Sequence, residues 1–360
     1  MEVIIIGGGL IGLSIAFELI ERGVNITVVE KDKIGKGASW VAGGMLAPQS
    51  EGLDGEFLNF CLESRNLYED FVKRIEEKTG KDTGYWKCGI LKLAFSEEEA
   101  EKIRQDVERF KKLGLPAQWL DRKELEKEYK NLGDEVIGGA LYKEDSQVDN
   151  RKLCSTLADY VKQNAKVLEN TKVLKIDEKN EKFNKIITDK GELKADLCIL
   201  SAGAWSGEIL DIPVFPLKGE MLALDIEEDE IDRVLYSSRA YLIPRSDFHR
   251  LVVGATQENV GFKDGNTAYG TLKLLKGSID TLKNLAYKNI QELWFGYRPA
   301  TPDELPILGD SGIENLILAT GHHRNGILLA PITAKIISDY IVYNKKSKYL
   351  ELFSLERFKT

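Results

Sequence analysis

Two β-branched runs, the continuous apolar 3–6 and the strand-like 26–29, bracket a stretch in which Leu10, Leu13, Ala16, Phe17 and Ile20 recur at helical spacing. Runs of this kind fit strands buried on both faces of a parallel sheet, and the spacing between them fits an amphipathic helix. The helical pattern over 10–22 stops at Gly23, a residue suited to the left-handed turn at a helix end. A strand–helix–strand unit is therefore predicted from residue 1, with the topology of a nucleotide-binding fold.

Further along, 38–48 is small and apolar, patterned as neither a charged helix nor an alternating strand. Residues 57–79 read as a long amphipathic helix and 90–95 as a strand. A helix over 96–112 opens on Ser96 and Glu99 as a capping box, and a short helix begins near Asp121. Asp149 is placed to cap a helix over 151–163. Strands follow at 166–169, 172–177, 184–188 and 193–200, with Asp189-Lys190-Gly191 as a turn. Segments 217–225, 234–237, 239–244 and 250–256 read as antiparallel strands, with a tight connection near Ser246-Asp247. A helix covers 267–284 and a strand leads into Trp294-Phe295-Gly296-Tyr297-Arg298-Pro299. The last unit is a strand at 316–319, a loop at 320–325 and a helix to about Tyr343, which Pro331 places as starting near Leu328.

Parallel-type strands thus occur near both ends and again at 193–200, and the antiparallel part lies between. The predicted class is α/β: a discontinuous doubly wound (Rossmann-like) cofactor domain over 1–82, 140–214 and 298–360. An antiparallel α+β substrate domain is inserted into it over 83–139 and 215–297.

Composition narrows the partners. A chain of 360 residues with 43% hydrophobic and 30% charged residues is that of a globular protein. The net charge of −8 leaves no basic stripe for nucleic acid, and a small anionic substrate needs a local cation that overrides the global field. Cys61, Cys88, Cys154 and Cys198 are scattered without metal spacing and read as free thiols of a reducing compartment. With no basic region before the first apolar run and no apolar stretch of membrane-spanning length, a cytoplasmic location is expected. No metal-ligand spacing is present, so no metal is expected.

The chemistry begins at Gly7-Gly8-Gly9-Leu10-Ile11-Gly12, a G-x-G-x-x-G between strand and helix. Gly7 permits the tight turn, Gly9 lets the backbone approach a pyrophosphate at the helix N-terminus, and Gly12 allows close packing. Glu30 closes the second strand 18 residues beyond Gly12, where a carboxylate accepts from a ribose diol. This unit alone does not separate FAD from NAD. Two later segments favour FAD: a strand ending in Ala202-Gly203-Ala204, able to approach the dinucleotide from its other side, and the loop Gly321-His322-His323-Arg324-Asn325-Gly326, which opens a helix whose amides can face a ring system. Arg298, among Trp294, Phe295 and Tyr297, is a charge that its setting requires to be paired. No strong catalytic base is evident.

The chain resembles the glycine oxidase branch of the D-amino acid oxidase family of FAD enzymes over nearly its whole length. The resemblance rests on Gly37-Ala-Ser-Trp-Val-Ala-Gly-Gly-Met-Leu-Ala-Pro48, Pro216-Leu-Lys-Gly-Glu-Met221, Tyr241-Leu-Ile-Pro-Arg245, Leu251-Val-Val-Gly-Ala-Thr256, Gly296-Tyr-Arg-Pro-Ala-Thr-Pro302 and the run from Ala319 to Pro331. It implies FAD contacts from Leu10, Ile11, Glu30, Lys31, Ala38, Ser39, Gly43, Gly44, Met45 and Val173, and from the run His322, His323, Arg324, Asn325, Gly326, Ile327 and Leu328. It further implies that Arg298 clamps a substrate carboxylate with Tyr241 as hydroxyl partner. Arg324 becomes a second substrate-side group, and Ala47 lines the pocket near the substrate Cα. With no cysteine in the C-terminal loop, FAD is expected to be non-covalent. The implied activity is oxidation of a small amino acid, glycine first, with hydride passing from Cα to the flavin and molecular oxygen as acceptor, feeding thiazole synthesis for thiamine. A homotetramer is also implied. Sarcosine or D-amino acid oxidation, a quinone-linked dehydrogenase, an NAD-dependent dehydrogenase and a non-catalytic FAD-binding protein are the alternatives.

Overall fold

β1 (Glu2–Ile6), α1 (Leu10–Glu21) and β2 (Asn25–Val29) form as their apolar patterns require, with every residue of β1 after Glu2 buried. The computed structural model describes residues 1–227, 230–246 and 249–359. Among these, β1 and β2 sit inside a six-stranded sheet that runs, edge to edge, Ile307–Asp310, Leu316–Thr320, Leu197–Leu200, β1, β2, Lys166–Leu168. Every pairing in it is parallel except that between Ile307–Asp310 and Leu316–Thr320. Helices Gly55–Thr79, Asn150–Asn164 and Ala330–Tyr343 pack with α1 over one face, around Leu13, Phe17, Phe60, Tyr68 and Ile337.

The second sheet has eight strands among the described residues, in the order Ile290–Ala300, Phe215–Leu224, Leu251–Gly254, Tyr241–Pro244, Val234–Tyr236, Ile90–Ala94, Gly138–Tyr142, Gln118–Asp121. It is antiparallel apart from the pairing of Val234–Tyr236 with Ile90–Ala94. The architecture is the expected one, a parallel cofactor-type sheet beside an antiparallel sheet built from inserted segments.

Several local expectations are corrected. The strand anticipated over 193–200 is two pieces: Gly191–Leu193 belongs to a separate antiparallel sheet, and only Leu197–Leu200 enters the parallel one. Asp196 accepts the Glu2 amide between them (2.8 Å), and its backbone N–H donates to the Glu2 carbonyl. The Ser96 box is half made: Ser96 Oγ accepts from the Glu99 amide (3.2 Å), but Glu99 reaches past it to the Phe95 amide (2.7 Å). A complete box occurs at Asp121 and Glu124 instead. Within 38–48, Ala38–Val41 is a short helix and Met45–Leu46 a short strand paired with Ser146–Gln147. The final helix starts at Ala330 rather than near Leu328, because 322–329 is spent on successive turns. The connection near Ser246-Asp247 reaches beyond the described residues. No described helix is long and apolar enough to cross a membrane. The four cysteines are free, three of them buried.

Candidate active site

A cavity of about 650 Å3 begins at the carboxyl ends of β1, β2 and Leu197–Leu200 and extends to the eight-stranded sheet. Ligands of open parallel sheets occupy this position, where the connections leave the strands in opposite directions, and the volume is that of a cofactor-sized site.

The first end is built by the glycine turn. Gly7 has φ +105°, and a Cβ on it would lie 2.4 Å from the Ser201 carbonyl oxygen, so only glycine fits. Gly12 packs against that turn from behind and does not line the cavity. Gly9 does, and a Cβ placed there would meet nothing nearer than Ser39 Oγ at 3.5 Å, leaving a cradle beside the start of α1. The Leu10 amide donates to Ser39 Oγ (2.9 Å). Glu30 accepts from the Gly8 amide (2.8 Å) and the Asp32 amide (3.0 Å), one on each carboxylate oxygen. Each oxygen keeps a lone pair for a diol. Burial pushes the Glu30 carboxyl up, and these two amides oppose it. Lys31 Nζ lies 3.7 Å from the centre of the Trp205 ring, which stacks on Phe262.

Ile11, Ala38, Gly43 and Gly44 line the middle of the cavity, as do Met45, Val173, Ala202 and Gly203. Ala47 does not. It is 3% exposed and packs with Ile90, Met221 and Ile243 behind the wall.

The far end is cationic. Arg298 projects from Ile290–Ala300 across Gly219 of the neighbouring strand, and its Nη1 donates to the Thr256 carbonyl (3.1 Å). Among the described residues no carboxylate forms an ion pair with it. Tyr241 faces this guanidinium: burial pushes its hydroxyl up and Arg298 opposes that shift.

The C-terminal loop closes one side. The His323 amide donates to the Pro299 carbonyl (2.9 Å), tying the loop to the strand that carries Arg298. Burial pushes His322 down to about 3 and His323 down to about 4, so both imidazoles are neutral near pH 7. His322 Nε2 pairs with Thr333 Oγ1 (3.1 Å), whereas His323 Nε2 is buried without a hydrogen-bond partner. Arg324, Gly326 and Ile327 also line the cavity. Asn325 and Leu328 do not: the Asn325 backbone closes two turns, and the Leu328 carbonyl accepts from Ser64 (2.6 Å).

Helix-terminal amides, an acid at the end of β2, an open glycine cradle and a buried imidazole with one unpartnered nitrogen fit a dinucleotide carrying a polar ring system. Sequence reasoning missed Glu51 and Gly219. Both line the cavity; Gly219 stands inside the family-like segment 216–221, which assigns it no role, and Glu51 stands in no pattern that marks it.

Residues 2–340 match the family described as FAD dependent oxidoreductase. The chain is 40% identical over 363 residues to the bifunctional protein ThiO/ThiG of Trichormus variabilis, covering 99% of this chain and 55% of that protein. It therefore spans about half the length of these relatives. It is 32% identical over 367 residues to glycine oxidase of Bacillus licheniformis, covering 99% of this chain and 97% of that one. The crystal structure of glycine oxidase from Geobacillus kaustophilus superimposes with a TM-score of 0.94 at 32% identity, covering 99% of each chain.

Proposed function

The chain belongs to the family of FAD-dependent oxidoreductases, and we propose that it is an oxidase of small amino acids with glycine as its first substrate. The observation that carries this reading is Arg298, a cavity-lining guanidinium held by a backbone carbonyl with no carboxylate partner among the described residues. A substrate carboxylate completes it as a two-point pair, and the Tyr241 hydroxyl beside it adds a donor. Similarity to glycine oxidases along almost their whole length supports the same substrate class.

When bound, FAD supplies the acceptor for the electron pair and hydrogen removed from the substrate Cα. The chain's own residues do the rest. Arg298 and Tyr241 fix the carboxylate, which orients Cα within the cavity. Glu30, the Gly9 cradle and the amides of α1 would hold the dinucleotide. Neutral His322 and His323 with the turns at 322–329 would contact its ring system and keep water out. Non-covalent attachment is supported by the absence of cysteine from 320–328. The six-stranded sheet with its helices serves as cofactor domain and the eight-stranded sheet as substrate domain. Molecular oxygen is the proposed acceptor, and the imine product or its hydrolysis products, glyoxylate and ammonia, leave the site. Supply of thiazole synthesis for thiamine, a cytoplasmic setting and a homotetramer belong to the same proposal. The ThiO/ThiG similarity, the free thiols and the exposed Tyr269 and Leu272 support these in turn.

The test is anaerobic bleaching of the purified yellow protein by glycine, sarcosine, D-alanine and simple amines. Glycine should bleach it best and amines without a carboxylate hardly at all. Equal bleaching by methylamine would remove the substrate assignment.

A further inference from the structure

Glu51 is an acid of the cavity wall to which neither the cofactor end nor the carboxylate clamp assigns a role. Its side chain is 9% exposed, it lines the same cavity as Arg298 and Tyr241, and its Oε2 has no hydrogen-bond partner. The nearest cation, Arg324 Nη1, stands 4.0 Å away and is 42% exposed, too far for a direct hydrogen bond. The backbone before it is held rigidly. Asp145, fully buried, accepts from the Ser50 amide (2.7 Å) and the Ser50 hydroxyl (2.6 Å), and Arg65 bridges Asp145 (2.9 Å) to the Gln49 side chain (2.8 Å). The Glu51 amide donates to the Ala47 carbonyl (3.0 Å). An acid that lines the cavity, follows residues fixed by a buried network and keeps one buried oxygen unpaired is poised for a donor that arrives with the ligand.

We propose that Glu51 is the amine-side catalytic group: it receives the substrate ammonium opposite the carboxylate clamp of Arg298 and takes one proton from it. This rests on the amino acid oxidase reading above. In the step, an ammonium N–H bond breaks and its electron pair stays on nitrogen. The proton forms an O–H bond on the Glu51 carboxylate, and nothing is oxidised or reduced. The amine lone pair so released is what loss of hydride from Cα requires. The groups facing Glu51 are Arg324, Asp145, Lys92 and Arg298, together with the Tyr236 and Tyr241 hydroxyls. Burial raises the affinity of its carboxylate for a proton. Arg324 opposes this, Asp145 adds to it, and Lys92 and Arg298 oppose it further. A raised proton affinity suits an acceptor working near neutral pH.

The experiment uses FAD-loaded wild type, Glu51→Gln and Glu51→Asp. Anaerobic flavin reduction by glycine is followed in rapid mixing across pH, and acetate binding is followed by flavin absorbance. Acetate carries the carboxylate but no amine. Glu51→Gln should bind acetate like the wild type yet be reduced by glycine at least tenfold more slowly near neutral pH. The deficit should shrink at high pH, where the free amino acid brings its own neutral amine, and Glu51→Asp should restore part of the rate. Wild-type reduction at every pH in Glu51→Gln overturns the proposal alone, and so does an equal loss of acetate binding. Failure of every small amino acid to reduce the wild type overturns the oxidase reading and this proposal together.

Discussion

The Arg298 guanidinium occupies the space that a side chain on Gly219 would fill: a Cβ there would lie 2.4 Å from Arg298 Nη1. The two residues stand on adjacent antiparallel strands, where Gly219 pairs with Gly296 and Leu217 with Arg298. The absence of a side chain on one strand thus sets the height of the cation on the other.

Gly219→Ala is expected to fold, because the atoms met first belong to the mobile end of a side chain. The methyl should displace the guanidinium and weaken carboxylate binding by about tenfold or more, or roughly 1.4 kcal/mol. Acetate titration of the holoprotein measures it. Unchanged affinity would show that the substrate carboxylate sits elsewhere.

Arg298→Ala removes the cation outright. Truncating one partner of a buried charge pair costs about 3–5 kcal/mol, so catalytic efficiency on glycine should fall by roughly two to three decades or more. Arg298→Lys keeps the charge but loses the planar fork, and its rate should suffer along with its affinity. Steady-state kinetics on glycine, sarcosine and a simple amine provide the comparison, with the amine losing least.

Glu30→Ala should loosen the cofactor more than it alters the chemistry of enzyme that retains it. Hydrogen bonds to a charged group contribute about 1.5–3 kcal/mol, which corresponds to a rise in the FAD dissociation constant of about tenfold or more. The same preparations, precipitated with acid, should release flavin to the supernatant. Colour held in the pellet would count against non-covalent attachment.

His322 predicts an acid sensitivity of the fold. Burial holds its folded-state pKa at about 3, below the ordinary 6.5, so the unfolded chain binds the proton more readily. The stability it contributes is fully present above about pH 6.5 and is lost as pH falls towards about 3. Thermal denaturation of wild type and His322→Asn between pH 8 and 4 should show a shallower acid decline in the variant. Parallel curves would mean that His322 is not the buried neutral group described here.

Much of this protein was written locally. The strand–helix–strand unit, the Gly7 turn, the Glu30 acid and the Asp149 cap follow from apolar period, backbone freedom and short polar side chains, which act over a few residues. Family-like segments extended that reading to Arg298 and Tyr241. Tertiary structure decided what depends on distant segments. Asp196 is held by Glu2 just before Leu197–Leu200, and Ala47 packs with Ile90 and Ile243 behind the wall. Gly219 matters only because Arg298 comes to lie across it, and Glu51 because packing buries it beside Arg324 without a hydrogen-bond partner for Oε2. Periodicity reports which face of an element is apolar. Whether a polar atom on that element finds a partner is set by segments remote in the chain, and that accounting closes only when the chain has folded.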